Sequence, residues 1–405
     1  MITPAEALAR IMRDVRPLPP LEVSLDAALG RCLADPIDSV YDSPSFDNSA
    51  MDGYAVHAAD VASATDAQPV TLPIVGESKA GDGIPPPLAR GHALRIFTGA
   101  PMPPDADAVV VQEDTTREGD QVSIRFASEV GRHVRARASD FPRGTRLLEA
   151  RHIVDPGCIA LLASQSLARV RVHRPPRVAI LSTGDELRPV GSALDPGQIV
   201  NSNGPMLEAL VRDAGGITST AHVPDELDAA VAAMRESVDE HHLVLTTGGV
   251  SVGDHDVVKA AMTGAGVETH FWKIAVKPGK PVVFGTAGDA YVLGLPGNPA
   301  SAFVTFTLFV RPLIRAMLGD PLPYPKVVRG TLATTVRHRP GRAEYLRARR
   351  EGSTFLLHPA QGSGELTALA WCDVLVEIPA DAESLPAGHE VCGVRIGSRG
   401  AASLF

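Results

Sequence analysis

Hydrophobic positions along this chain change their spacing several times, and each change marks a different kind of element. Leu8, Ile11, Met12 and Val15 recur at i, i+3, i+4 and i+7 behind Thr3-Pro4-Ala5-Glu6. A threonine followed three residues later by glutamate, with proline at the first helical position, predicts a capped amphipathic helix. Glu22–Leu25 reads as a short strand, followed by a helical turn through Leu29 and Leu33. Tyr41–Tyr54 is rich in Asp, Ser, Asn and Pro and reads as a packed loop with Asp52-Gly53 as a turn. From Val70 to Phe126 the runs VTLPIV, ALRIF, AVVVQ and VSIRF alternate with Gly/Pro/Asp clusters, which predicts a compact β-rich domain. Asp155-Pro156 opens another helix, Arg169–Val172 reads as a strand, and His173-Arg174-Pro175-Pro176 reads as a linker.

Beyond the linker, strands and helices alternate. Val178–Leu181, Ile217–Val223, Leu243–Leu245, Thr269–Val276, Val282–Phe284 and Tyr291–Leu295 carry strand character. A helix capped by Asn203 carries Met206, Leu207, Leu210 and Val211 and ends at Gly215-Gly216; a second starts at Asp225 or Glu226. An apolar helix is expected over Ser301–Leu318, with Arg311-Pro312 interrupting its most apolar stretch, so that no segment reaches the length of a membrane span. This is the pattern of a three-layer α/β domain, whose ligands bind at the carboxyl ends of the strands. Short strands after Leu318 predict a final β domain, with six arginines between Arg337 and Arg350 expected on a solvated face, the basic wall of an anionic groove being the alternative.

Chemistry-bearing residues fall at those strand ends. Asp185 and Glu186 follow the first strand of this domain, and Asp225 and Glu226 follow the strand ending at Val223. Leu243–Leu245 runs into Thr247-Gly248-Gly249, then Ser251, Gly253, Asp254 and Asp256; Pro296-Gly297-Asn298-Pro299 follows Tyr291–Leu295. A glycine-rich turn before a helix exposes backbone N–H groups to an oxyanion. Two carboxylates in such a turn would repel an anion unless a divalent cation bridges them. Lys273, Lys277 and Lys280 are the densest lysine group, and the even spacing of Lys273 and Lys277 would place both on one face of an extended segment. Together these features suggest polyphosphate-plus-metal chemistry.

Bulk properties narrow the function further. The net charge of −9 argues against a general nucleic-acid binder, and 4% aromatic residues leave little for base stacking. The 405 residues give a prior of about three domains. Cys32, Cys158, Cys372 and Cys392 form no C-x-x-C pair, and the N-terminus carries no targeting pattern, so a reduced, soluble, cytoplasmic protein is expected. The chain lacks the phosphate-loop motif G-x-x-x-x-G-K-[ST] and a G-x-G-x-x-G after the first strand. Its histidines lack H-x-x-x-H spacing, which disfavours a zinc hydrolase.

Six motifs, in order, resemble those of the molybdopterin molybdenumtransferase (MoeA/gephyrin E-domain) family. They are Asp47–Ala55 (DNSAMDGYA), Thr98–Pro101 (TGAP), Ser182–Leu187 (STGDEL), Thr247–Ser251 (TGGVS), Lys277–Pro281 (KPGKP) and Leu295–Pro299 (LPGNP). The resemblance covers essentially the whole chain. It implies an α/β multidomain protein with a three-layer, MogA-like α/β domain at 176–320, a discontinuous α+β N-terminal domain at 1–42 plus 141–175, an inserted β-rich domain at 43–140 and a C-terminal β-barrel at 321–405. It further implies insertion of molybdate into adenylylated molybdopterin, with Mg²⁺ and release of AMP, at a cleft built by a homodimer. Matched motif by motif, the implied catalytic residues are Asp52, Asp140, Glu186, Asp225, Asp256, Lys273 and Lys277. Metal ligation is implied for Glu186, Asp225, Glu226, Asp254 and Asp256. Substrate binding is implied for Thr98, Gly248, Gly249, Ser251, Gly253, Lys280, Pro296, Gly297, Asn298, Pro299 and Ser301.

Departures from the family pattern are Ala138-Ser139 before Asp140, and Asp225-Glu226 where relatives carry two aspartates, so that either acid can be the ligand. A molybdopterin adenylyltransferase and molybdoenzyme-maturation proteins are the implied partners, with neither nucleic acid nor membrane. A tungstate-using paralogue, a nucleotide pyrophosphatase of the competence-damage type and a non-catalytic scaffold are the alternatives. The pyrophosphatase needs no DNSAMDGYA loop, and no added linker or second enzyme domain marks a scaffold.

Overall fold

The computed structural model describes residues 1–249 and 257–396. Its chain forms two compact units, one from Met1–Asp35, Arg151–Pro156 and the chain from Arg169 onward, the other from Pro36–Ala150 and Gly157–Ala168.

A six-stranded sheet organises the first unit, in the order Ile217–Val223, Arg177–Thr183, Leu243–Thr247, Ala290–Leu295, Val283–Ala287 and Glu268–Trp272. The first four strands are parallel and the last two join antiparallel. Alternate side chains of each central strand enter separate cores. Val178, Ile180, Leu243 and Leu245 pack with Ala7, Ile11, Leu207, Val211 and the Phe303–Leu318 helical segment. Ala179, Leu181 and Val244 pack with Met234, Val258 and Met262 on the opposite face. Both faces are therefore covered by helices, which is why the strands read as nearly unbroken apolar runs. This is the three-layer α/β architecture expected.

Several local features match their sequence signals. Thr3 and Glu6 form the reciprocal capping box of Pro4–Met12. The helix Asn203–Ala214 ends on Gly215 at φ +99, a left-handed cap that glycine adopts without strain. The strand Pro20–Ser24 pairs with Arg169–His173, so segments from both sides of the intervening chain complete one ribbon. That is the discontinuity of the N-terminal region.

The apolar helix differs from expectation. Helical structure runs without a break from Pro299 to Met317, through a π-helical turn at Phe306–Val310. Pro312 has no N–H to give, and the ladder widens just ahead of it, where Arg311 N–H bonds Phe306 O five residues back. The stretch is long and apolar enough to cross a bilayer by composition, but 89% of it is buried inside the fold, where it serves as a core helix.

Strands Ala343–Glu351, Thr354–Leu357, Val327–Leu332, Glu390–Arg395 and Val374–Ile378 close into a five-stranded barrel, the last pairing back to the first. Its arginines are not uniformly solvated. Arg347 is 1% exposed and gives its guanidinium to Gly362 O and Tyr345 O.

The second unit holds another six-stranded sheet, in the order Ala108–Val111, Gly53–Val56, Ala93–Ile96, Val70–Ser78, Gln121–Ile124 and Thr115–Glu118. Gly53 is not a turn residue, as its Asp-Gly context suggested. It lies buried in a strand paired on both sides, opposite Ile96 and Val111.

Candidate functional site

The candidate site forms where the parallel strands of the first unit end. Thr183, Glu186, Asn203, Gly248, Gly297 and Pro299 line a cavity of about 90 Å³. Three turns converge there, and the approach of one of them requires glycine at position 248. A Cβ on Gly248 would stand 2.3 Å from Thr183 O, at a backbone φ of +94. A Cβ on Gly297 would in turn touch the Gly248 Cα at 3.4 Å. Gly249, at φ +62, packs where a side chain would meet Val258 at 2.8 Å. Only glycine at position 248 lets that backbone approach Thr183 so closely. A second cavity of about 250 Å³, lined among others by Ser182, Arg188, Glu208 and His222, shares Leu187 and Asn201 with the first.

The acids arrive from two neighbouring strand ends. Asp185 N–H donates to Asp225 Oδ2 and Asp225 N–H to Asp185 Oδ1, both at 3.3 Å. This reciprocal pair ties the turn carrying Glu186 to the turn carrying Asp225. Glu226 instead occupies the N-cap position of Leu227–Glu240 without a side-chain cap bond. Glu186 folds back towards Gly184, whose own Cβ would fall 2.7 Å from its carboxylate.

Asn203 does not cap its helix. Its Nδ2 donates to Thr247 Oγ1 at 2.9 Å and to Gly297 O at 2.7 Å, tying the two glycine turns together. Asn201 accepts the Gly204 N–H in the capping role. Neither contact had a sequence signal beyond the Asn-x-Asn spacing. Asn298 donates from Nδ2 to Ser363 Oγ at 3.0 Å. Pro296 and Ser301 are buried behind the turn, and Ser301 O accepts from Thr305.

The lysines do not lie on one continuous strand. Glu268–Trp272 ends at Lys273, which takes a left-handed φ of +75 and breaks the extended path. Lys277, in the short strand Val276–Lys277, pairs instead with the buried carboxylate of Glu344 at 2.8 Å. Lys280 is half-buried, and its carbonyl accepts the N–H of Ile274. Ser251, Gly253, Asp254 and Asp256 lie outside the described residues. Among the described residues, no group of three or more His, Cys, Asp or Glu side chains is placed to hold a metal ion.

In the second unit, Asp52 accepts from both the backbone N–H and the hydroxyl of Thr98, each at 2.8 Å. The Thr98 N–H, then its hydroxyl, hold the Asp52 carboxyl below the usual aspartate value. Asp140 is exposed and accepts from Ser43 Oγ at 3.4 Å; the neighbouring Arg137 pairs with Asp42 rather than with it. Thr98→Val removes one of the two donors and should move the Asp52 titration upward, towards the ordinary aspartate range. With a depressed folded pKa, the stabilisation by Asp52 is present above the unfolded pKa and fades as pH falls through the folded value. Carboxyl-carbon NMR titration of the full chain reads the shift; an unchanged Asp52 curve would contradict the assignment.

Family models match in three consecutive blocks. The MoeA N-terminal region (domains I and II) matches residues 2–166, a probable molybdopterin binding domain residues 179–316, and the MoeA C-terminal region (domain IV) residues 329–394. A molybdopterin molybdenumtransferase from a Nostoc species is 39% identical over 383 residues, covering 91% of this chain and 87% of its own. One from Staphylococcus aureus strain MRSA252 is 33% identical over 393 residues, 95% of this chain and 93% of its own. The crystal structure of a molybdopterin biosynthesis MoeA protein from Pyrococcus horikosii superimposes with a TM-score of 0.85 at 32% identity, covering 98% of this chain and 99% of that one.

Proposed function

Because the chain belongs to the molybdopterin molybdenumtransferase family and is an enzyme of it, we propose that it inserts molybdate into adenylylated molybdopterin and releases AMP. One observation in the site carries the reading: the glycine turns at Gly248 and Gly297 meet beside Glu186 at the strand ends of the matched molybdopterin binding domain. Backbone N–H groups at such turns suit a substrate phosphate. The Asp185–Asp225 pair ties the turn of Glu186, which lines that cavity, to the neighbouring strand end.

Carboxylates at these strand ends suit Mg²⁺ by their chemistry, a hard ion held by one or two carboxylates with substrate phosphates and water completing the shell. Glu186 and Asp225, with Glu226, Asp254 and Asp256 as the further acids of the proposal, would hold it. When bound, Mg²⁺ supplies neutralisation of charge on the phosphoanhydride oxygens. Gly248, Gly249, Ser251 and Gly253 form the proposed phosphate cradle, and Lys273, Lys277 and Lys280 supply positive charge beside the leaving AMP phosphate. In the proposed homodimer, Asp52 and Asp140 of one subunit serve the acid set of the other, with Asp52 kept ionised by Thr98. Thr98 enters the proposal through that bond.

A cytoplasmic homodimer that receives its substrate from a molybdopterin adenylyltransferase and passes its product to molybdoenzyme-maturation proteins is part of the same proposal. Sedimentation equilibrium tests the dimer. The reaction is tested by incubating the full chain with adenylylated molybdopterin, Mg²⁺ and either molybdate or tungstate while following AMP. Release with molybdate is expected; release with tungstate alone would point to the tungstate-using paralogue, and no release with either oxyanion overturns the transferase reading.

A further inference from the structure

A buried carboxylate of the C-terminal barrel has its charge met by a lysine of the α/β domain. The short strand Val276–Lys277 pairs in parallel with Ala343–Glu351, and the register sets Lys277 directly opposite Glu344. Ala343 N–H also donates to Ala275 O at 3.0 Å, so backbone bonds fasten the two segments before any side chain acts. Lys277 Nζ lies 2.8 Å from Glu344 Oε1, with the glutamate side chain 9% exposed and the lysine side chain 48% exposed.

This asymmetry defines what the pair can do. A carboxylate so deeply buried is costly unless a cation meets it. The ring of His338 stands 3.7 Å from the other oxygen, Oε2, beyond hydrogen-bond reach, and its nitrogens face Ala382 O and Arg342 O instead. Among the described residues, Lys277 is therefore the one side chain bonded to Glu344. An ammonium has three N–H donors, so one bond to Glu344 leaves two for other acceptors. A half-exposed lysine normally samples many rotamers, and ordering it costs entropy. Here the buried carboxylate holds its tip in one place.

That place adjoins the strand-end site. The loop after Lys277 packs on the helix Pro299–Thr305: a Cβ on Gly279 would meet Thr305 Cγ2 at 2.5 Å and Ser301 O at 3.6 Å. Pro299 of the same helix lines the 90 Å³ cavity. The C-terminal domain reaches this helix start independently, since Ser363 accepts from Asn298 Nδ2 and from the Ala300 N–H.

We infer that Glu344 is a positioning residue: its carboxylate fixes the Lys277 ammonium beside the substrate site, with two N–H donors left for phosphate oxygens. The inference rests on the molybdopterin reading given above, in which Lys277 supplies positive charge beside the leaving phosphate. Glu344 acts through the lysine and touches no substrate itself.

The test is a double-mutant cycle of Glu344→Gln and Lys277→Met in the full chain, read in AMP release and in calorimetric pyrophosphate binding. Either substitution alone should lower kcat/KM by about tenfold or more, mostly in kcat, because phosphate charge grows as the anhydride bond breaks. Pyrophosphate binding should weaken about threefold. Adding Glu344→Gln to Lys277→Met should cost nothing further in either readout, since the lysine it positions is gone. Labelling of Lys277 by acetic anhydride, followed by peptide mass spectrometry, should speed up about threefold in Glu344→Gln as the amine loses its partner. Glu344→Asp keeps the charge but draws it back by one methylene, and it replaces the glutamine variant if that chain fails to fold. Pyrophosphate should slow the labelling of Lys277 in the wild type, and absence of that protection overturns the inference whichever variants fold. Additive losses, a Glu344→Gln protein at least as active as the wild type, or unchanged labelling of Lys277 also overturns it. Wild-type protein that releases AMP while the cycle is additive sinks this inference alone. Protein that releases no AMP sinks the transferase reading, while pyrophosphate binding and labelling still decide this one.

Discussion

Gly248→Ala should lower kcat/KM for AMP release by about a hundredfold or more while leaving the chain folded. The new Cβ would sit 2.3 Å from Thr183 O and 3.0 Å from Thr183 Oγ1, and its backbone would have to hold φ +94. Left-handed strain at a non-glycine residue costs on the order of 1–3 kcal/mol, and overpacking adds about as much. The turn can escape by moving away from the Thr183 strand end. That movement displaces the Gly248 N–H and loosens its contact with Gly297, and a misplacement of about 1 Å in a substrate-positioning group can cost a hundredfold in rate. Stability should fall by only a few degrees in Tm, because the turn is at the end of the sheet rather than within it. Gly191→Ala is the control: that glycine has φ +90 but nothing within 4 Å of its Cβ, so it carries backbone strain without the steric clash. Kinetics of AMP release and calorimetry on both variants separate the effects. Gly248→Ala within threefold of wild type would remove this turn from the substrate site.

Much of this site could be read from the chain because two-sided burial leaves a plain signal. Leu243–Thr247 is buried along its whole length, so it appears as the apolar run Leu243–Leu245 followed by two threonines and then glycines. Parallel topology then places every such end on one edge of the sheet, and Glu186, Gly248, Gly297 and Pro299 do meet there. What could not be read depends on contacts between distant residues. Asn203 finds partners 44 and 94 residues away, and its proximity to a helix start suggested capping instead. Lys277 faces Glu344 in the barrel, a pairing that lysine spacing cannot reveal. The inference that Lys273 and Lys277 share a face assumed a continuous strand, and Lys273 breaks that strand with a left-handed residue. Arg347 sits in an arginine-rich run that looked solvated, yet neighbouring carbonyls satisfy much of its guanidinium within the barrel.

Gly53 shows the same limit and leads to the prediction with the largest effect on stability. An Asp-Gly pair in a polar stretch signals a turn because glycine accepts φ above zero. Gly53 is required for a different reason. Its strand is paired on both sides, and a Cβ there would lie 2.0 Å from Val110 O and 2.9 Å from the Val110 carbonyl carbon. The obstacle is backbone, which cannot rotate away as a side chain can. Gly53→Ala must therefore push Ala108–Val111 away from Gly53–Val56, breaking ladder bonds where the pairing of these two buried strands begins. A loss above about 4 kcal/mol is expected, in the range reserved for disrupted cores. Asp52 would be displaced with its neighbour, since its carbonyl accepts Gln112 N–H and its carboxylate holds Thr98. Hydrogen exchange should show lost protection across the Gly53–Val56, Ala93–Ile96 and Ala108–Val111 strands, with proteolytic cleavage falling in the same region. Gly119→Ala, at φ +60 in open space, should keep that protection. A Gly53→Ala chain that melts with the wild type and protects those strands would show that the sheet can widen there, and would remove the steric account of why glycine follows Asp52.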